Sequence, residues 1–351
     1  LSIKKEKFGE VNLSDSFFDS FKADYKEFDA WFNKKSEEIS YTCKKDGKLI
    51  AFLYLKKEDE NEIYSDITPI FNKNKRLKIG TFKVEYNGFK LGERFIKIIF
   101  DNAIKMKVNE IYVTIFNNSP EQERLIDLLN DFGFEYWGIK SSKNGNEQVY
   151  IRKFAHVVNI EKPKMTFPYV NGRGSKFFVA IYPKYHTNLL PDSILNTESA
   201  KDFEELQPYR NAIGKVFISR SIEKNVRSGD VLIFYRTGGY YESVITTIGI
   251  VEKIVDSIPD METFINICGK RSVFSRQDLI DQWNYNRNSK PFVIFFLYTY
   301  SFPHRINLQK LIELSVIKDF KSAPRGLLNI TDEQFKKILK ETKSDESIVV
   351  Y

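Results

Sequence analysis

Cysteine and histidine are scarce: two and three residues in a chain of 351. Cys43 and Cys268 lie far apart and form no CxxC pair, so no disulfide is expected, and the chain reads as cytoplasmic. His156, His186 and His304 are scattered, so no zinc or other metal site is expected. No run of about 18 apolar residues occurs, and no membrane-spanning helix is expected. The opening segment "LSIKKEKFGEV" has lysines but no apolar core, which argues against a secretory leader. There is no internal repeat and no low-complexity tract.

What is present is a mixture typical of a globular protein, 42% hydrophobic and 29% charged residues. The length allows two ordinary domains, each with its own core. The formal charge is +7. Residues 1–155 contribute +2 and the remainder +5. Such a surplus favours anionic partners, RNA or a phosphate-rich cofactor, and it also fits a merely soluble protein.

The stretch "EKPKMTFPYVNGRGSK" carries two prolines, two glycines and four basic residues between two patterned regions. It sets the expected division: a first domain over 1–158, a linker over 159–175 and a second domain over 176–351. The first region opens with a helical pattern over 16–35, with Phe17, Phe21, Phe28, Trp31 and Phe32 at helix-like spacing. Asp46-Gly47 between two apolar runs signals a hairpin. "RLKIGTFKVE" reads as a strand, 91–107 as a helix of about four turns and 110–116 as a strand. "SPEQERLIDLLNDFGF" is a helix with Ser119 as N-cap, Pro120 at its first position and Gly133 after its end. A second hairpin is expected around Asn144-Gly145. The order is α, ββ, β, α, β, α, ββ. The second region is mostly short strands with intervening short helices, which suggests a small β-barrel.

The segment "NGFKLGERF" sits where a strand feeds a helix. A helix N-terminus offers unpaired N–H groups and the positive end of a dipole, a natural seat for a pyrophosphate. Gly88 and Gly92 bracket this turn, and Lys90 and Arg94 add charge. An ordinary turn followed by a packing glycine is the other reading. The β–loop–α–β order, the α–ββ lead-in and the "LNDFGF" ending together resemble the GNAT family of N-acetyltransferases over nearly all of 1–153. That family's phosphate loop reads Arg/Gln-x-x-Gly-x-Gly/Ala; here Asn87 replaces Arg/Gln, Lys90 replaces the middle glycine, and Gly92 matches. The resemblance implies a mixed α/β sheet with flanking helices and acetyl-CoA as cofactor. It also implies that the backbone of Phe82 and Val84 pairs with pantetheine amides, as an added strand would. Asn87, Gly88, Phe89, Lys90, Leu91, Gly92 and Glu93 would surround the pyrophosphate, and Asn117 would lie near the pantetheine arm.

Acyl transfer to an amine needs a deprotonated nucleophile, an oxyanion donor and a proton source for the leaving thiolate. The family often places a tyrosine acid in its fourth helix; Leu129 occupies that position. Some members use a carboxylate on the strand before the loop, and none occurs between Phe71 and Val84. Glu85, Asp66 and Tyr112 are the remaining catalytic candidates, and a backbone N–H near Phe82 would serve as the oxyanion donor. Without a base, an α-amine with pKa about 7.7–8 suits the site better than a lysine near 10.4. A degenerate, inactive site explains the same absence.

In the second region, "VRSGDVLIFYRTG" and "TTIGIVEKIV" resemble the PUA-like superfamily near its ASCH and EVE members, small barrels of which many bind RNA or modified bases. The resemblance covers most of 177–340. Arg220, Arg236, Thr237, Lys270, Arg271 and Arg276 would meet phosphates, and Tyr235, Tyr240 or Tyr241 would stack on a base. Each residue taken alone also reads as core or solvated rim. His186 reads as a hydrogen-bonded loop residue. The expected function is therefore an acetyl-CoA-dependent N-acetyltransferase acting on an RNA-linked amine, aminoacyl-tRNA or a modified base. The alternatives are a protein or small-molecule acetyltransferase, and an RNA-binding module with a decayed first half. Some GNAT toxins acetylate aminoacyl-tRNA, so the resemblance also admits a protein antitoxin as partner.

Overall fold

The computed structural model describes residues 3–85, 88–199 and 207–351. The chain divides into two compact units at Ala155/His156.

The first unit contains β1 (Lys4–Lys7), α1 (Asp19–Asp24), α2 (Phe28–Lys34), β2 (Ile39–Lys45), β3 (Lys48–Glu58), β4 (Ile67–Thr68), β5 (Arg76–Val84), α3 (Leu91–Lys105), β6 (Glu110–Ile115), α4 (Pro120–Asp131), β7 (Glu135–Ser142) and β8 (Gly145–Lys153). Its strands form one sheet in the order β1-β2-β3-β5-β6-β8-β7-β4. Among these pairings only β5 with β6 is parallel. The expected mixed sheet and order of major elements are observed. Asp46 and Gly47 both adopt positive φ, which a two-residue hairpin turn of this hand requires. Ser119 caps α4 by accepting from the Gln122 N–H.

Helices lie on both faces. Directly opposed residues of neighbouring strands share a face. Tyr54 opposes Thr81, and Leu53 opposes Phe82. Tyr54 packs on Phe8 and on Trp31 of α2, whereas Phe82 packs on Phe95 of α3. The helix read over 16–35 is in fact broken. After a 3-10 turn at Ser16–Phe18, α1 ends where Tyr25 goes extended, and α2 starts at Phe28. The Tyr25 hydroxyl donates to Glu147, 122 residues away, at 2.6 Å. That tertiary bond occupies the side chain a continuous helix would direct elsewhere.

The second unit contains β9 (Val170–Asn171), β10 (Lys176–Ile181), α5 (Pro183–Leu189), α6 (Pro208–Asn211), β11 (Gly214–Ser219), β12 (Val231–Arg236), β13 (Val244–Val255), α7 (Met261–Cys268), α8 (Arg276–Asn284), β14 (Phe292–Ser301), α9 (Leu308–Glu313), β15 (Leu327–Ile330), α10 (Asp332–Glu341) and β16 (Val349–Val350). Six strands form one sheet, β11-β14-β13-β12-β10-β15. One core gathers Phe177, Val179, Phe234 and Phe296; another joins Phe264 of α7 and Trp283 of α8 to Val216 and Val293.

Two expectations change here. The stretch 159–175 is not a free linker: Phe167 and Val170 are fully buried, and β9 pairs in parallel with β16. Its prolines and glycines make turns inside the unit. The expected closed barrel is not found either, since among the described residues the outer strands β11 and β15 do not pair with each other. Register shifts at Phe234/Tyr235, Ile248/Gly249 and Val251/Lys253 interrupt the ladders of β13, which bends a sheet without closing it.

Candidate functional site

The parallel ladder between β5 and β6 runs from Arg76 opposite Glu110 to Ile79 opposite Val113 and stops. β5 continues for five more residues, and β6 continues along β8. The cause lies in the next residue. Between Ile79 and Thr81 the register against β3 shifts, leaving Gly80 as the extra residue of a bulge. A Cβ at Gly80 would fall 2.6 Å from the Tyr54 ring, so glycine is what lets this strand kink against β3.

Beyond the bulge, one edge of β5 has no strand partner among the described residues. The Glu85 N–H donates to Ile50 O at 3.0 Å, so odd-numbered residues here direct their backbone groups toward β3. Antiparallel pairs alternate, so Phe82 and Val84 direct theirs toward the parted β6 side. An acyclic amide chain laid there would be held as an added strand.

The loop from this edge enters α3, the longest described helix. Asn87 lies outside the described residues. Gly88 and Lys90 both have positive φ, 87° and 56°. Lys90 is the N-cap residue, in left-handed conformation, and caps nothing with its side chain. By contrast α4, α7, α8 and α10 are capped by Ser119, Asp260, Ser275 and Thr331. Among the described residues, the N–H groups of Leu91 and Gly92 therefore meet no side-chain cap from Lys90, and they stand at the helix end where an anion is favoured. Glu93 is buried and paired with Lys90 at 3.3 Å. Gly92 has a packing role: a Cβ there would stand 2.8 Å from Leu128 of α4. Phe89 is half-buried beside the turn, and Asn117 is exposed in the connection from β6 to α4.

Below the splay, the face that carries α1 and α2 is unusually polar for a sheet interior. Glu58, buried, accepts from the Tyr64 hydroxyl at 2.9 Å and the Tyr112 hydroxyl at 2.7 Å, with Lys56 at 3.1 Å. Burial, then Glu58, push the Tyr112 hydroxyl far above its ordinary pKa, so Tyr112 is a fixed hydrogen-bond donor rather than a proton source. Glu147, also buried, accepts from Tyr25 and from Thr114 at 2.9 Å, with Lys140 at 3.6 Å. Thr114 is the first β6 residue past the split. Between these carboxylates stands Lys78, directly opposite Tyr112 and two residues before the bulge. Its ammonium lies 5.7 Å from the Tyr112 ring centre and has no hydrogen-bond or ion-pair partner among the described residues. Burial, then the charge of Lys140, lower its pKa, with Glu58 opposing.

The structure thus unites Tyr112 with Lys78, Glu58 and Glu147, none of which the sequence singles out. Of the other two catalytic candidates, Glu85 stands apart, and Asp66 meets this cluster only at its edge, through Lys140, which also pairs with Glu147. Glu85 lies seven residues along β5 from Lys78, about 23 Å in an extended strand, and pairs with Lys83 at 2.6 Å. Asp66 is exposed, with Lys140 at 4.0 Å. No sequence motif points to Lys78; it is one of three basic residues in β5, with Arg76 and Lys83, and nothing local sets it apart.

Of the residues expected to meet RNA in the second unit, Arg236 and Tyr241 line one cavity, and the others do not line it. Tyr235 is a core side chain. Arg220 donates to Gln282 at 2.9 Å and lies over the Tyr285 ring. Arg271 donates to the Gly214 carbonyl, Arg276 pairs with Glu262, and Lys270 is exposed. Thr237 bonds Ile181 through its backbone at 2.9 Å. Tyr240 packs against Tyr241 and Phe320. His186 is fully buried between Thr187 and Thr246, at 3.0 and 2.8 Å. Burial, then Arg236 and Arg305, push its pKa down to about 3, so its ring is neutral.

No family model and no curated protein matches the sequence. Among solved structures, the NatC complex bound to Gag peptide and CoA is 16% identical over 43% of this chain and 98% of that one, at a TM-score of 0.28. An IAA acetyltransferase from Bacillus cereus is 12% identical over 43% and 98%, at 0.31. Arabidopsis thaliana Naa50 in complex with the bisubstrate analogue CoA-Ac-MVNAL is 16% identical over 44% and 100%, at 0.30. At these scores the likenesses carry no argument on their own, and the reading of the site rests on its geometry.

Proposed function

We propose that the first unit is an acetyl-CoA-dependent N-acyltransferase of GNAT type. The observation that carries this is the unpaired β5 edge at Phe82 and Val84 leading into the uncapped start of α3. These are two backbone sites of the kinds that hold a pantetheine arm and a pyrophosphate. Acetyl-CoA, when bound, supplies the acyl thioester. The chain's own groups do the rest. Phe82 and Val84 N–H and C=O align the arm. The first-turn N–H groups of α3 hold the diphosphate. Lys78 Nζ, with a lowered pKa and no ion-pair partner among the described residues, takes the proton that the attacking amine loses as the C–N bond forms, and returns it to the CoA thiolate released when the C–S bond breaks. Glu147 and Glu58 hold Thr114, Tyr25 and Tyr112 in place around it.

For the acceptor, the proposal is an RNA-linked amine recruited by the second unit. Supporting it are that unit's +5 charge and the Arg220 guanidinium, two of whose nitrogens have no partner among the described residues. Calorimetric titration of acetyl-CoA into the full chain tests the donor, with micromolar binding expected, about −8 kcal/mol. Absence of heat at millimolar ligand sinks the proposal. Labelled product that is sensitive to RNase supports the RNA acceptor; sensitivity to protease instead assigns a protein.

A further inference from the structure

A cavity of about 750 Å³ opens at one end of the second unit's sheet, where β12 ends, β13 begins and the chain leaves β14. That volume lies in the range of small-molecule sites. Its chemistry is uneven. Leu195, Val244 and Pro303 give it apolar surface, Asn196 and Thr197 give it neutral polar groups, and Arg236 and Arg305 give it two guanidiniums. Both arginines bear on the same buried His186, so their charges converge on one region of the unit.

Their protein partners are incomplete. Arg305 donates one N–H to the Ile194 carbonyl. Arg236 makes no guanidinium hydrogen bond among the described residues, and its Nε is buried without a partner. Glu198, the nearest carboxylate, approaches Arg236 only to 3.6 Å. Its Oε2 already accepts from the Thr187 hydroxyl at 2.7 Å and the Leu195 N–H at 2.9 Å. Glu242 lines the opening and is exposed. The two guanidiniums thus line the cavity with few protein bonds: Arg305 holds one carbonyl, and Arg236 has one long ion pair to Glu198 Oε1. Guanidiniums match carboxylate and phosphate oxygens in bidentate fashion, and a buried unpaired donor is costly to leave so. Tyr241, largely exposed at the mouth, offers an aromatic face to the body of a ligand.

We propose that this cavity binds a small oxyanion-bearing ligand of nucleotide size, with Arg236 and Arg305 clamping the phosphate or carboxylate and Tyr241 covering a planar body. The site lies wholly in the second unit and does not rest on the acyl-transfer reading. Calorimetry on the full chain would compare 5′-AMP, benzoate, adenosine and inorganic phosphate. Binding of AMP or benzoate is expected, with inorganic phosphate competing and adenosine at least about tenfold weaker. AMP alone assigns a phosphate ligand, and benzoate alone a carboxylate. Arg305→Met and Arg236→Met should each weaken binding about tenfold or more. Tyr241→Ala removes an exposed side chain, spares the fold and should weaken binding a few-fold, so it serves if the arginine variants fail to fold. The proposal is overturned if neither oxyanion probe binds, if adenosine binds as well as AMP, if only an RNA oligonucleotide binds, or if affinity is unchanged in Arg305→Met or Tyr241→Ala.

Discussion

In the first unit, the groups offered to a ligand are main-chain atoms: the Phe82 and Val84 edge of β5 and the first N–H groups of α3. In the second they are side chains, the guanidiniums of Arg236 and Arg305 with Tyr241 at the mouth. A backbone site depends on where strands part and how a helix begins, and it tolerates exchange of side chains that keep those dihedrals. A side-chain site depends on a few residues and on the buried network that holds them. The two units should therefore respond differently to pH and to substitution.

The largest difference expected is in acid. All three histidines belong to the second unit, and His186 is buried neutral with its pKa pushed down to about 3. Below pH 6.5 the unfolded chain binds a proton there that the folded chain does not. The stabilisation is thus complete above 6.5 and falls by about 1.4 kcal/mol per pH unit as pH drops toward 3. Hydrogen exchange of β13 at pH 7 and 4.5 should show a loss of about 3 kcal/mol that His186→Gln removes, since carboxylates titrate alike in both forms. An unchanged slope in the variant would mean that His186 is not what makes this unit acid-sensitive. Next in size is Lys78→Met. A proton acceptor works only when neutral, so kcat/KM should rise with pH through the lowered lysine pKa. The variant should keep only the acceptor amine's own titration and lose about a hundredfold in rate. An unchanged pH profile together with an unchanged rate would remove the one side chain given a chemical role in the first unit.

The same contrast explains what could be read in advance. The order of the first unit is written locally. Apolar residues of α3 recur on one face from Leu91 through Phe95 and Ile99 to Ala103, Asp46-Gly47 makes its turn, and Ser119 caps α4. The break in the helix over 16–35 depends on Glu147, which no local pattern announces. Gly92 and Gly88 look alike in the motif, yet one makes room for Leu128 while the other supplies a positive φ. Gly80, which sits where the ladder parts, belongs to no motif. In the second unit, Arg236 stands out beside aromatics and hydroxyls, but its neighbour Arg305 comes from beyond β14 and only the fold joins them. The stretch 159–175 looks like a linker in sequence because proline and glycine mark turns, and turns occur inside a unit as well as between units.

Proline separates backbone from side chain in the first unit. Val84→Pro deletes an N–H on the parted side, where an edge strand tolerates proline. It should reduce acetyl-CoA affinity about tenfold, the net worth of a hydrogen bond, with little change in stability. Glu85→Pro deletes the N–H bonded to Ile50 and should cost stability by about 1 kcal/mol or more. Equal effects on affinity and stability in both variants would mean that the alternation along β5 is not what holds the ligand.

The smallest effect is expected at Lys90. Its φ of 56° is strained for a residue with a Cβ, so Lys90→Gly should stabilise the unit by up to about 1 kcal/mol. The same change deletes a charge beside the start of α3, but that ammonium is half-exposed and already paired with Glu93 at 3.3 Å. An exposed charge of this kind contributes about 0.3–1 kcal/mol. If main-chain N–H groups hold the diphosphate, they remain in place, and affinity for acetyl-CoA should fall no more than about fivefold. A loss well beyond tenfold in the titration, with stability raised as expected, would show the lysine charge to be the principal anchor. The first unit's site would then be built from side chains like the second's, and the contrast between the two would fail at the loop where it should be clearest.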